Sequence, residues 1–419
     1  MKELANLFGF NPYYLKNFKK KKIIRQTISN ELVPIGFEIL DIFGGDIYGR
    51  WVFLDFSGEN NPRIGVIGMT GTGKTTLVSG LLFNAFVRNF KILIPFDIKG
   101  EYKEKLIRVA KGNGVFNFKQ FIQIFSPPFL DNGKPFYLDI NDLDVDDIIN
   151  LLGLEPDDLK YQMLKRIQKE VLKYKKLKLK YKHLKVLFER PKKLKEGFLR
   201  DYEERSIVKL AGSILFHPNF EFFKEGNNIL TLLTNNKINI FDFSGFDVHE
   251  ELGRSYIAVF VKYLRNCLAE LYKKGERLKL ITVFEEAHRL SDTRRIYPSH
   301  REILTSVRQT RMYGESMVFI VQGERHINSK ILEQCQLLLF PASHQLLLKM
   351  LDQVPMIEEA TIDEFLRKDM KIARLIKSKF GVNLWVLIDK LNGTLKTFIP
   401  SGYLSLREGE IFLRRMVEI

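Results

Sequence analysis

Residues Pro62 to Leu77 read PRIGVIGMTGTGKTTL, and their centre, Gly68-Met69-Thr70-Gly71-Thr72-Gly73-Lys74-Thr75, matches the phosphate-loop pattern G-x-x-x-x-G-K-[ST]. Ile64, Val66 and Ile67 supply an apolar strand before the motif, and Thr76 to Phe86 has the apolar spacing of a helix after it. Backbone N–H groups at such a strand-to-helix turn, with the positive end of the helix dipole, cradle a polyphosphate that a Cβ would keep too far away. The expected nucleotide contacts are therefore Gly68, Met69, Thr70, Gly71, Thr72, Gly73, Lys74, Thr75 and Thr76. Lys74 would reach the β- and γ-phosphates and Thr75 would hold Mg²⁺, so ATP and Mg²⁺ are the expected cofactors. An ordinary glycine-rich turn is the bland alternative, and the flanking strand and helix argue against it.

The chain has 419 residues, 45% hydrophobic and 28% charged, which is the balance of a globular protein. Cys267 and Cys335 lack both disulfide-framework and metal-ligand spacing, so a reducing, cytoplasmic location is expected. No apolar run reaches the ~18 residues of a membrane span, and the N-terminal residues lack a signal-peptide core. The net charge of +16 is unevenly placed: residues 160–200 hold 16 Lys/Arg against 3 Asp/Glu, and residues 1–30 hold 7 against 1. Two cationic segments that carry all the excess are the footprint of a polyanion partner such as DNA. A merely solvated lysine-rich face is the alternative.

Four segments are expected. Residues 1–50 form a basic arm, with Lys19 to Lys22 in a row, and a small β-rich extension that is either a lid or the edge of the sheet. Residues 51–154 hold the first part of a phosphate-loop core, including a buried strand Lys91 to Asp97 and short strands near Phe121 to Phe125 and Phe136 to Ile140. In residues 155–204, Leu164, Ile167, Val171, Tyr174, Leu177, Tyr181, Leu184 and Phe188 make one apolar stripe, predicting a long basic helix that Pro191 stops. Residues 205–419 complete the core, with strands expected at Ile238 to Phe243, Leu278 to Phe284, Ser316 to Val321, Leu337 to Phe340 and, near the C-terminus, Lys371 to Ile376, Leu384 to Ile388 and Leu395 to Ile399. Leu278 to Phe284 runs straight into Glu285-Glu286, the form of a Walker B element in which the first acid supports the Mg²⁺ shell and the second polarises the attacking water. Gln322, just past a strand, suits a γ-phosphate sensor, although a lone Gln is usually polar surface.

Taken together these motifs resemble the HerA-like branch of the HerA and FtsK group of DNA-translocating ATPases. GMTGTGKTTL resembles its phosphate loop, FDIKGEY its D-x-x-G-E-Y signature, FDFSG a strand-end element, VFEEAHRL its acidic box, and TRMYGESMVFIVQ its arginine-to-glutamine segment. The resemblance runs from about Arg50 to Phe340, interrupted by the insertion. It implies an α/β, RecA-like core with a mainly parallel sheet, a metal role for Thr75 and Glu285, and catalytic roles for Glu286, Gln322 and Arg311, the last as an arginine finger. It also implies a homo-hexamer that pumps DNA, with a nuclease as partner. The chain departs from the pattern at Glu285, where many relatives carry Asp, at Thr310, where Gly is usual, and at Gly323-Glu324, where Arg-Pro is usual. A full-size N-terminal barrel is not expected ahead of Arg50.

The leading expectation is an ATP-dependent DNA translocase or helicase; a conjugation or viral-packaging pump is the nearest alternative. A GTPase or kinase fits less well, because no N/T-K-x-D guanine signature is present. A nucleotide-gated DNA-binding assembly protein that does not hydrolyse ATP would be expected to lack the second acid, Glu286.

Overall fold

The computed structural model describes residues 31–43, 46–56, 61–175, 179–224, 227–291, 297–323, 329–343 and 382–402, with 369, 373, 374, 377 and 378. The basic arm expected over residues 1–30 lies outside them.

Among the described residues the chain builds one 12-stranded sheet. Its strands are β1 (Leu32–Phe43), β2 (Asp46–Asp55), β3 (Arg63–Ile67), β4 (Lys91–Asp97), β5 (Ile122–Ser126), β6 (Lys134–Pro135), β9 (Ile238–Asp242), β10 (Leu280–Phe284), β11 (Glu315–Val321), β12 (Leu337–Pro341), β13 (Trp385–Asp389) and β14 (Thr394–Pro400); β7 (Leu138–Asp139) and β8 (Phe223–Lys224) form a separate parallel pair. The order is β2-β1-β14-β13-β12-β3-β11-β10-β4-β9-β5-β6. From β12 to β6 every neighbour is parallel, and from β13 to β2 every neighbour is antiparallel. Central strands β3, β10 and β11 are buried at every position, as parallel strands covered on both faces must be. The β-rich extension before the phosphate loop is thus an edge of the core sheet.

The antiparallel half braces the phosphate-loop helix, Lys74–Val87. A Cβ on Gly80 would come within 2.5 Å of the Gly402 amide nitrogen, so the helix and the residues after β14 touch backbone to backbone. Asn84 Nδ2 donates to Pro34 O at 2.8 Å, and Asn383 Nδ2 donates to Thr72 O at 3.2 Å within the loop itself.

Three expectations are corrected. The long helix expected as far as Pro191 is instead two, Leu159–Lys175 and Tyr181–Phe188, and a third, Pro191–Gly197, follows them. The chain leaves the helical path so that Tyr181 N can donate to Leu143 O at 2.7 Å, and His183 Nδ1 then accepts from Lys180 N to start the next helix. Pro191 begins a helix rather than stopping one, because a first-turn position needs no N–H donor. Near Lys371 to Ile376 the described residues, Ala373 and Arg374, are helical rather than extended. Ile372, Leu375 and Ile376 stand at i, i+3 and i+4, a spacing that serves a helix as well. The strand expected over Phe136 to Ile140 shortens to β7.

A buried ion cluster joins the helix Val145–Leu151 to the long core helix Glu250–Lys273. Lys262 Nζ lies 2.5 Å from Asp144 Oδ2 and 2.8 Å from Asp147 Oδ2. Asp144 caps the shorter helix, accepting from Asp146 N and Asp147 N. Burial above all, against the opposing charge of Lys262 and with some help from the Asp144 charge, pushes Asp147 up to about 7. Its ordinary unfolded value is about 3.9, so folding takes up a proton here between about pH 4 and 7 and this contribution to stability falls as pH rises through that window. Asp147→Asn should flatten the dependence of unfolding free energy on pH over that range, as read by urea titration. Lys262→Met should lower stability by about 3–5 kcal/mol at neutral pH, because it leaves two facing carboxylates without their cation.

Candidate active site

The parallel half brings the carboxyl ends of β3, β11, β10 and β4 to one edge, and each carries one part of the site. After β3 the loop runs to Gly73, with Gly71 at φ 80° and Gly73 at φ 94°, so both occupy the left-handed region that glycine tolerates. Gly68 N donates to Val321 O at 3.1 Å, tying the loop to the end of β11. Lys74 Nζ donates to Gly68 O at 2.6 Å and Met69 O at 3.0 Å, so its ammonium is already folded over the mouth of the loop. Burial lowers the pKa of Lys74, and the charge of Glu286 opposes that fall.

Glu285 and Glu286 follow β10 directly. Thr75 Oγ1 and Glu285 Oε1 are 3.5 Å apart, which sets the two expected metal-side oxygens next to one another. Among the described residues no three His, Cys, Asp or Glu side chains converge on a common point. Mg²⁺ takes one or two protein oxygens and fills its octahedron with phosphate and water, so the adjacent Thr75 Oγ1 and Glu285 Oε1 fit as its protein ligands. Burial and then the Asp97 carboxyl push Glu285 up to about 9. Asp97 is also raised, by burial above all.

Glu286 occupies the left-handed region at φ 46°, ψ 44°, which a non-glycine residue adopts at a cost of about 1–3 kcal/mol. Lys99 Nζ lies 2.8 Å from Glu286 Oε1, and the Gln322 side chain is hydrogen-bonded to the same carboxylate. Burial works against its charge, but Lys99 and Gln322 outweigh burial and hold Glu286 below the usual carboxylate range. Glu286 Oε2 accepts no hydrogen bond among the described residues, leaving one buried oxygen for a water. Lys74, Thr75, Glu285, Glu286 and Gln322 are thus gathered at one place.

The sequence places Asp97 at a strand end and in the D-x-x-G-E-Y segment, and gives no role to Lys99. Pro95 interrupts β4, and the register against β10 slips so that Leu93 faces Thr282 while Phe96 faces Phe284. Asp97 lies beyond the pairing with β10 but still pairs with Asp242 of β9, and its carboxylate accepts from Gly100 N at 3.0 Å and Tyr102 N at 3.3 Å. A proline inside an otherwise apolar strand, just before D-I-K-G, was the available signal.

Arg311 is not part of this gathering. It sits on the turn Thr310–Tyr313 that precedes β11, whereas Gln322 follows β11. With the strand rising about 3.3 Å per residue, the two ends are separated by on the order of 20 Å. Around that turn Arg63, at the head of β3 and only 1% exposed, donates to Val307 O at 3.1 Å, to Thr310 Oγ1 at 3.2 Å and to Glu315 O. Asn61 Nδ2 donates to Arg311 O at 2.7 Å. Thr310 therefore has a structural use for the hydroxyl that the family's glycine lacks.

A family model described as the central domain of helicase HerA matches residues 52–292. No curated protein matches the chain. Among solved structures, VirB4 of Thermoanaerobacter pseudethanolicus is similar with a TM-score of 0.52 at 16% identity, covering 88% of this chain and 96% of that one, which is a likeness of fold. The bacterial conjugative coupling protein TrwB aligns with a TM-score of 0.45 at 15% identity over 69% of this chain and 70% of its own. The genome packaging NTPase B204 of Sulfolobus turreted icosahedral virus 2 aligns with a TM-score of 0.33 at 9% identity over 81% and 97%.

Thr310→Val keeps the side-chain shape but deprives Arg63 of an acceptor inside the protein, and should cost about 1–3 kcal/mol. Denaturation of wild type and variant would read this. Nucleotide affinity should stay unchanged, because the turn is remote from the phosphate loop.

Proposed function

Because this chain belongs to the family of the helicase HerA central domain and is a phosphate-loop ATPase, we propose that it couples ATP hydrolysis to DNA movement as an oligomeric ring, most simply a hexamer. The observation that carries the reading is the split of its chemistry between two edges of one sheet: Lys74, Thr75, Glu285, Glu286 and Gln322 at the carboxyl ends, Arg311 at the other. In this reading Lys74 binds the β- and γ-phosphates, and Glu286 takes a proton from the attacking water while Gln322 orients it. Mg²⁺, when bound at Thr75 and Glu285, would neutralise charge on the phosphates. Arg311 serves the site of a neighbouring subunit, since it cannot reach its own. No helix among the described residues is long and apolar enough to cross a membrane. Two free cysteines suit a reducing compartment such as the cytoplasm.

Arg311→Ala should bind ATP normally yet hydrolyse it poorly, and Lys74→Ala should lose hydrolysis through its own loop. Mixed under conditions where subunits exchange, the two variants should recover activity, because some sites then combine an intact loop with an intact arginine. A purely additive mixture would remove the shared-site reading.

DNA binding is assigned to the basic insertion. Lys169, Lys173, Lys182, Lys185, Lys192 and Lys193 are exposed on its helices, while Met163, Leu164, Ile167, Leu184 and Phe188 are buried beneath; Lys176 and Lys178 lie outside the described residues. Lysines that neutralise DNA phosphates release counterions. Replacing Lys182, Lys185, Lys192 and Lys193 by Gln should flatten the slope of log K against log salt by up to ~0.9 for each duplex phosphate left without its lysine. An unchanged slope would mean that this face is only solvated.

A further inference from the structure

We propose that Lys99 is a positioning residue that restrains Glu286 in a resting arrangement, so that turnover requires their ion pair to open. The proposal rests on the reading of Glu286 as the residue that takes the proton from water. A carboxylate accepts that proton through an oxygen lone pair. Here Oε1 is held by the Lys99 ammonium at 2.8 Å, with His288 Nδ1 3.4 Å from Oε2. Oε2 accepts no hydrogen bond among the described residues, but the two oxygens share one negative charge, so an ammonium held on Oε1 makes both poorer proton acceptors and weakens the group in the role its position suggests.

The backbone on both sides is built to make this ion pair. Gly100, at φ 64°, turns the chain immediately after Lys99, and the Asp97 carboxylate caps the turn through the amides of Gly100 and Tyr102. Tyr102 is fully buried, which anchors the far side of the turn. Glu286 meets Lys99 from a left-handed backbone conformation that a glutamate rarely adopts and that needs side-chain contacts to persist. Three neighbours contribute: Gln322, His288 and Lys99. Among them Lys99 carries a full charge at hydrogen-bond distance.

The pair is also placed to open without disturbing the core. Glu286 is 3% exposed, but the Lys99 side chain is 33% exposed, whereas Lys262, which serves only to join two helices, is 12% exposed. Lys99 stands in the wall of a cleft of about 500 Å³ whose other walls include Phe246, Arg254 and Arg289. The two arginines are engaged with Glu250 and Asp247, so the Lys99 ammonium can swing into the cleft without displacing another ion pair. A cation that instead assisted the transferring phosphate would have the opposite effect when removed, which makes the two roles separable.

The test uses the full chain and compares ATPase at saturating ATP, without DNA, for wild type, Lys99→Met and Lys99→Arg. Glu286→Gln is assayed alongside. If Lys99 restrains Glu286, Lys99→Met should raise kcat on the order of tenfold, the worth of one charged hydrogen bond, with KM changed by less than about twofold. Lys99→Arg keeps the cation and should reverse most of that rise. Binding of a fluorescent ADP analogue by Lys99→Met establishes that the site is folded. A Lys99→Met kcat at or below the wild-type value, in a protein that still binds the analogue, overturns the proposal. Wild-type turnover in Glu286→Gln is a different result: it removes the hydrolytic assignment of Glu286 itself, whatever Lys99 does.

Discussion

Parallel pairing of β3, β11, β10 and β4 is the constraint on which the rest depends. Strands that run the same way must end on the same edge, so four segments far apart in sequence deliver the phosphate loop, Gln322, the two glutamates and Asp97 with Lys99 to one line. Side chains reaching only a few ångströms could not meet otherwise. The same constraint sends everything that precedes a strand to the opposite edge, and Arg311 and Arg63 are found there. Topology therefore keeps Arg311 away from the phosphate loop of its own chain before any question of side-chain rotamer arises.

The edge chemistry is held under electrostatic tension. Lys74 and Lys99 alternate with Glu285 and Glu286 inside a largely buried space, and each charge shifts the others. Removing charges from water is costly unless they are paired, and here the pairing is complete only in part. Burial and the Asp97 carboxyl raise Glu285 toward its neutral form, and Glu286 is relieved by binding Lys99. A polyphosphate with Mg²⁺ would bring both signs of charge and can exchange with each of these internal pairings, which is why such a cluster suits a site that binds and releases its ligand.

The centre of the fold was legible because its signals are local. G-M-T-G-T-G-K-T needs its glycines for positive φ at Gly71 and Gly73, and a hydrophobic run from Leu280 to Phe284 ends directly in Glu285-Glu286. The resemblance added Arg311, but neither it nor the residues could say on which edge that arginine lies, since pairing direction is a property of the sheet and not of the segment. The insertion misled for a related reason. Its apolar stripe keeps helical spacing from Leu164 to Phe188, yet a backbone hydrogen bond between Tyr181 and Leu143 outweighs that local preference and splits the helix. Lys99 was hidden because a lysine after a strand is ordinarily solvated; only the Pro95 bulge and the turn at Gly100 bring it to a glutamate far along the chain.

The two edges are joined by very little chain. β3 is five residues long, with the phosphate loop at one end and Arg63 at the other. Arg63 grips Val307, Thr310 and Glu315, and Asn61 holds the Arg311 carbonyl, so the arginine turn is fastened to the strand that bears the loop. Paired on both sides by β11 and β12, such a strand cannot flex along its length. Within one subunit the distance from bound phosphate to Arg311 is consequently set by the sheet. In a ring where Arg311 serves the neighbouring site, that fixed length makes each subunit a spacer between two nucleotides, and any shift of the phosphate loop as a rigid unit with β3 is a shift of the arginine as well.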